Sequence, residues 1–303
     1  MAAARRTTPD VTGPPADAWR DKVGAENFTV ASRLLPRRVR ADLLAVYAFA
    51  RMADDVGDEA GGDRGAQLDW LEAELERSRA GTATHPVLCR LGETIGRRGL
   101  PMDPFRQLIA ANRLDQLRTR YATFEDLLGY CALSAVPVGR LVLALFGAVG
   151  DDQLRLADQV CIGLQLVEHC QDVGEDAARG RIYLPAEDLN RFGCAEEDLC
   201  GARATPALRR LLAFEADRAA AYLGAGAPLA ATLRGRARLA VAGYVAGGQA
   251  ALDAIAAADH DVLAVACRPR PTRIARRLLP LVAARRSTNR AVGGPVARNG
   301  APS

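Results

Sequence analysis

The chain has 303 residues, of which 49% are hydrophobic and 25% charged, with a formal net charge of +4. That balance excludes disorder throughout, and so small a charge, with basic and acidic residues interleaved, leaves no electrostatic footprint for nucleic acid. Aromatic residues make up 5% and β-branched runs are scarce beside Ala, Leu, Arg and Glu, so the chain reads as all-α. Lys22 is the only lysine, which reads as a coding preference for arginine rather than as a phosphate-binding surface.

Residues 1–16 and 287–303 are rich in Ala, Pro, Thr and Gly and read as disordered tails around a single helical domain over 17–286. Arg5 and Arg6 have no apolar stretch behind them, so no signal peptide is expected. Helical periodicity then recurs over Arg38 to Asp58, Gly65 to Ala80, Thr84 to Gly99, Pro104 to Leu117 and Phe124 to Val149. It continues over Asp152 to Asp176, Thr205 to Gly224, Pro228 to Ala258 and Thr272 to Arg286, with short Gly- and Pro-bearing connections. Leu127 to Gly150 is apolar enough to resemble a membrane span, but Pro137, Gly139 and Arg140 at its centre argue for a buried core helix. The seven cysteines are scattered and include no CxxC pair, which suits buried free thiols in a reducing cytoplasm.

Two of these helices carry acidic faces. At about 100° per residue, Tyr47, Arg51, Asp54 and Asp58 fall within about a 60° arc, and Gln165, Glu168, Asp172 and Asp176 within about an 80° arc. Like charges at i and i+4 repel unless a cation stands between them. Hard oxygen ligands in this arrangement suit Mg²⁺ completed by water and substrate phosphate. Among 36 acidic residues a lone D-x-x-x-D is expected by chance, so either face alone reads equally well as a solvated surface. A di-iron bundle would need paired E-x-x-H motifs, and His85, His169 and His260 form none. No zinc pattern or hydrolase elbow is visible.

Six ordered pieces resemble the squalene/phytoene synthase family. They are Glu26-Asn27-Phe28 with Ser32-Arg33-Leu34-Leu35-Pro36, then Tyr47, Arg51, Asp54 and Asp58, then Tyr130-Cys131 with Pro137-Val138-Gly139. They continue with Gly163-Leu164-Gln165-Leu166, Asp172 with Asp176, and Arg181-Ile182-Tyr183-Leu184-Pro185. The resemblance implies an isoprenoid-synthase fold, with helices around a central cavity and the two acidic faces on opposite walls. It implies Asp54, Asp58, Asp172 and Asp176 as Mg²⁺ ligands, with Glu168 as an added ligand where the family usually has Asn. Ser32, Arg33, Tyr47, Arg51 and Arg181 are expected at the diphosphate of a prenyl substrate, and Tyr130, Gln165 and Tyr183 at the reacting centre.

Within the family, the stretch Ser134 to Arg140, Gln171 before Asp172, and Gly247-Gly248 are most similar to bacterial hydroxysqualene synthases. The reaction so implied takes presqualene diphosphate and water to hydroxysqualene and pyrophosphate, in squalene and hopanoid biosynthesis. Head-to-head condensation to presqualene diphosphate or phytoene, and a non-catalytic assembly role, stay open as alternatives, while a terpene cyclase is disfavoured by the motif pattern. The expected location is cytoplasmic. The basic stretch from Arg268 to Arg277 reads equally as a solvated helix face or as a peripheral contact with an anionic membrane surface. Other enzymes of the squalene pathway are candidate partners.

Overall fold

In the computed structural model of the protein the described residues are 37–58 and 63–284, and the Asp58 side chain is not among them. Ser32, Arg33 and both tail assignments therefore lie outside the described residues. The helices are α1 (Arg37–Asp58), α2 (Arg64–Ala80), α3 (Pro86–Arg98), α4 (Asp103–Asp115), α5 (Phe124–Ser134), α6 (Val136–Leu145) and α7 (Asp151–Gln171). They continue as α8 (Val173–Ala178), α9 (Ala186–Phe192), a 3₁₀ turn at Glu196–Cys200, α10 (Pro206–Gly226), α11 (Leu229–Thr232), α12 (Gly235–Ala257) and α13 (Pro271–Ala283). No strand occurs among the described residues; one isolated bridge joins Arg120 to Ile182. The all-α expectation holds.

The helix starts follow local chemistry. Asp63 and Thr205 accept hydrogen bonds from the exposed backbone N–H groups of Ala66 and Leu208, and Thr123 forms a reciprocal capping box with Asp126.

Three expected helices are broken. Phe124 to Val149 divides at Ala135, where Pro137 enters the first turn of α6 and cannot donate to the preceding helix. Asp152 to Asp176 divides at Asp172, whose φ of −101° and ψ of 13° leave the helical region. Pro228 to Ala258 divides where Leu233 and Arg234 become extended. Helix α9 and the turn at Glu196–Cys200 had no counterpart in the sequence reading, because neither is long enough to display a period.

Apolar faces assemble these helices. Phe49, Leu68, Leu88, Phe105, Ile109 and Leu141 share one core. A second core joins Leu166, Val167, Leu223 and Ala251 to the ring cluster Tyr121, Tyr130 and Tyr183. Helices α7 and α10 approach closely at Gly163, where a Cβ would stand 2.8 Å from Leu223 Cγ, so only glycine fits without displacing Leu223. Among the described residues, the two segments long and apolar enough to cross a membrane, Phe124–Leu145 and Gly235–Ala257, are 50% and 56% buried inside the protein. Arg140, the charge within the first, is paired with Asp158 at 2.8 Å.

All seven cysteines are free thiols; four are buried and Cys161 is half-buried, while Cys89 and Cys200 depart from the expected burial and are exposed. Of the basic stretch, Arg273 donates to the Asp253 carbonyl at 2.5 Å and Arg277 holds the Asp253 carboxylate at 2.5 and 2.9 Å. Those two arginines fasten α13 to α12.

A buried charge cluster ties α9 to α10. Arg218 Nη1 donates to Asp188 at 2.9 Å and to both Glu215 oxygens at 3.0 Å. Its guanidinium carbon stands 3.9 Å from the centre of the Phe124 ring. Burial, opposed by Arg218 and reinforced by Asp188, pushes Glu215 up to about 8. The folded state therefore holds a proton that the unfolded chain releases near the usual glutamate value, and this stabilisation is lost as pH rises toward 8. Melting temperature should fall between pH 5 and pH 8.5 in the wild type, and Glu215→Gln should flatten that fall; equal slopes for the two proteins would contradict it.

Candidate active site

The first acidic face occupies the last turns of α1. Tyr47 and Arg51 are half-buried and Asp54 is exposed. Arg51 pairs with Asp55 at 2.7 Å, a neighbour that the stripe of Tyr47, Arg51, Asp54 and Asp58 left out. That pairing neutralises Asp55. Asp54 is instead met from α4, where Asn112 Nδ2 donates to Asp54 Oδ1 at 3.3 Å and to the Leu108 carbonyl at 3.1 Å. Gly57 makes room, since a Cβ there would fall 2.2 Å from Asn112 Oδ1. One turn on, Gln116 Nε2 donates to the Gly57 carbonyl at 2.9 Å.

The same end of α4 also reaches the second wall. Asp115, buried, accepts from Tyr130 Oη at 2.8 Å and from Tyr183 Oη at 3.4 Å. Tyr121 stacks on Tyr183 with ring centres 5.8 Å apart. Burial pushes all three phenols well above their ordinary values, with the Asp115 charge adding to the effect; they stay protonated at any physiological pH, and Tyr130 and Tyr183 donate to Asp115. Backbone bonds fix the two segments side by side: Ile182 N–H to the Thr119 carbonyl and Ala186 N–H to the Tyr121 carbonyl, each 2.9 Å. Arg120 Nη1 adds a bond to the Gly180 carbonyl at 2.6 Å.

The second acidic face lies at the break between α7 and α8. The i to i−4 bonds continue through it, from Asp172 N–H to the Glu168 carbonyl at 2.9 Å and from Asp176 N–H to the Asp172 carbonyl at 2.8 Å. The carboxylates thus stay on one side although the helix bends. Glu168 and Asp172 are exposed and Asp176 is half-buried. Although the residue is exposed overall, desolvation of its carboxyl by the surrounding wall raises Asp172 above the usual carboxylate range, with Glu175 adding to it. Burial and then the Asp172 charge push Asp176 up to about 7. Arg179 opposes both shifts, joined by Arg268 at Asp172 and by Arg181 at Asp176. Gln171, next to the break, donates to the Cys267 carbonyl and so holds the chain leading into α13 against this wall.

Asp176 and Arg181 open onto a small cleft that is also lined by His169, Val173, Tyr183 and Leu199. Gln165 is half-buried, with Nε2 3.4 Å from His169 Nε2. The structure therefore brings Tyr130, Tyr183, Asp176 and Arg181 into one neighbourhood with Gln165 at its edge, and links Asp54 to it through α4. Asn112, Asp115 and Gln116 were missed in the sequence. Their signal is Asn112, Asp115 and Gln116 at i, i+3 and i+4 on a helix otherwise buried through Phe105, Leu108 and Ile109.

Hard, mutually repelling carboxylates fit Mg²⁺. Among the described residues no group of three or more His, Cys, Asp and Glu side chains converges into a cage. A pair of carboxylates with neighbouring arginines suits an ion that takes its remaining ligands from water and phosphate oxygens.

A family model described as "Squalene/phytoene synthase" matches residues 22–278. A hydroxysqualene synthase of Rhodopseudomonas palustris is 37% identical over 211 residues, 69% of this chain and 72% of that protein. A phytoene synthase of Mycobacterium tuberculosis is 38% identical over 210 residues, 68% and 69% of the two chains. The crystal structure of the squalene synthase HpnC from Alicyclobacillus acidocaldarius superposes with a TM-score of 0.74 at 45% identity, covering 80% of this chain and 92% of that one.

If Asp115 holds the two phenols, Asp115→Leu should lower unfolding free energy by about 1–3 kcal/mol in urea titration, because it leaves buried hydroxyls without an acceptor. Asp115→Asn, which keeps one acceptor oxygen, should cost less. An equal loss for the two variants would assign the effect to packing alone.

Proposed function

The chain belongs to the squalene/phytoene synthase family, and from that premise we propose that it converts presqualene diphosphate and water to hydroxysqualene and pyrophosphate. The observation that carries the class of chemistry is the crowded Asp172 and Asp176 pair beside Arg181 and the tyrosine cluster. An anion-binding, cation-holding wall adjoins aromatic faces there. The water-capturing reaction is favoured by the 37% identity to a hydroxysqualene synthase. A second reading, condensation of two prenyl diphosphates to phytoene or presqualene diphosphate, draws support from the 38% identity to a phytoene synthase. Intact carboxylates on both faces speak against a purely scaffolding role.

In this reading residues 17–286 act as one catalytic unit, with Asp54 and Asp58 on one wall and Asp172, Asp176 and Glu168 on the other holding Mg²⁺. When bound, the ion supplies charge neutralisation to a departing diphosphate. Arg181, Arg51 and Tyr47, with Ser32 and Arg33, bind and orient the diphosphate oxygens. Tyr130 and Tyr183 line the reacting centre, and Asp115 fixes the direction of their hydroxyls. The apolar residues around the ring cluster exclude water other than the reacting molecule. The protein works in the cytoplasm, and the outward side of α13 is its candidate contact with the membrane that holds its lipophilic substrate and other enzymes of the squalene pathway.

Incubating purified protein with Mg²⁺ and, separately, farnesyl, geranylgeranyl or presqualene diphosphate, followed by mass spectrometry, discriminates the two readings. A C30 alcohol from presqualene diphosphate alone is expected; phytoene from geranylgeranyl diphosphate would replace the first reading by the second. Asp54→Ala and Asp172→Ala should each lower kcat by about two to three orders of magnitude with helical circular dichroism unchanged. Full turnover in excess chelator would remove the metal assignment. Glu168→Asn should retain turnover and shift its Mg²⁺ dependence, and an unshifted titration would place Glu168 outside the metal's ligands.

A further inference from the structure

His169 lines the same cleft as Asp176, Arg181 and Tyr183, yet it belongs to neither the carboxylate set nor the arginine set. It stands on α7 one turn after Gln165 and is 6% exposed. Its ring lies flat on Tyr183, with centroids 4.0 Å apart and planes 16° apart, and the Tyr130 ring is 6.2 Å away. Its Nε2 faces Gln165 Nε2 at 3.4 Å. An amide nitrogen only donates, so with this amide orientation the imidazole Nε2 is the acceptor and the ring proton sits on Nδ1. Because the amide is planar, fixing its nitrogen on His169 also fixes the direction of its oxygen.

We propose that His169 is a positioning residue: it holds the Gln165 amide so that Oε1 accepts a hydrogen bond from the water molecule that captures the carbocation. The inference rests on the water-capturing reading above. In the step, the C–O bond to diphosphate breaks with its electron pair leaving on pyrophosphate. After rearrangement the water oxygen donates a lone pair to the cationic carbon. The proton then leaves the oxonium and ends on the released pyrophosphate, so substrate plus water equals alcohol plus protonated pyrophosphate. Gln165 takes no proton; it orients the nucleophile, and the stack on Tyr183 keeps His169 from turning.

The test measures pyrophosphate released and alcohol formed from presqualene diphosphate in the same reaction. His169→Phe keeps a ring to stack on Tyr183 and removes the acceptor. Its alcohol yield per pyrophosphate should fall at least about tenfold, the scale of one lost orienting hydrogen bond, with elimination products making up the difference. His169→Gln, which supplies an acceptor oxygen, should recover part of the ratio, and Gln165→Leu should reproduce the His169→Phe ratio. An unchanged ratio in His169→Phe overturns the proposal even if the overall rate drops, since a merely structural histidine lowers both quantities together. Should His169→Phe fail to fold, an unchanged ratio in Gln165→Leu overturns it equally. A wild-type protein that releases pyrophosphate but forms no alcohol would sink the water-capturing reading itself, an outcome distinct from a wild-type alcohol yield that the variants fail to alter.

Discussion

The Asp115 carboxylate, buried and accepting from the phenols of Tyr130 and Tyr183, is the contact on which the rest of the site depends. A buried charge is tolerated only where hydrogen bonds replace its lost hydration, so α5, which carries Tyr130, and the segment carrying Tyr183 are both held to the end of α4. Asn112, one turn earlier on α4, touches Asp54. The two acidic faces are remote in sequence and belong to different packing units, and this helix end gives them a common reference. Backbone bonds between 119–122 and 182–187 extend the same junction and set Arg181 and Tyr183 beside the cleft rather than on an independent loop.

Charge is crowded on the second wall. Asp176 is raised to about 7 by burial and by Asp172, whereas Asp253 and Asp261 are each lowered by hydrogen bonds, from Arg277 and from the Ala204 backbone respectively. The fold can stabilise its carboxylates and does so at those two structural positions. Leaving Asp172 and Asp176 in mutual repulsion, with the helix bent between them and the Cys267 carbonyl tied to Gln171, is a local cost that a bound cation and diphosphate would offset. A small cleft beside Asp176, lined also by Arg181 and His169, has Tyr183 of the aromatic cluster in its wall.

Much of this was legible because helical period and charge spacing are local properties. The faces of α1 and α7 came from arithmetic on residue numbers, and Tyr130, Tyr183 and Arg181 from the ordered resemblance. What was not legible depends on tertiary contact. Arg51 was grouped with Asp54 and Asp58, and its pairing with Asp55 is a choice between carboxylates on adjacent positions that spacing does not decide. The bend at Asp172 is invisible to periodicity because the i to i−4 bonds run through it. Asn112 and Asp115 carried a weak signal, two polar residues on a buried face, but which partner each would meet required knowing that α4 lies between α1 and the tyrosines. His169, read only as failing to complete a metal motif, acquires a role once its ring is seen stacked on Tyr183 and facing Gln165.

The central claim is that this wall of carboxylates, arginine and aromatic rings ends its reaction with water. Turnover of presqualene diphosphate in ¹⁸O-labelled water, without any reductant, tests it most directly. The account predicts a C30 alcohol carrying one labelled oxygen in its hydroxyl. An alcohol without label, or squalene formed only when a reduced nicotinamide cofactor is added, would contradict it.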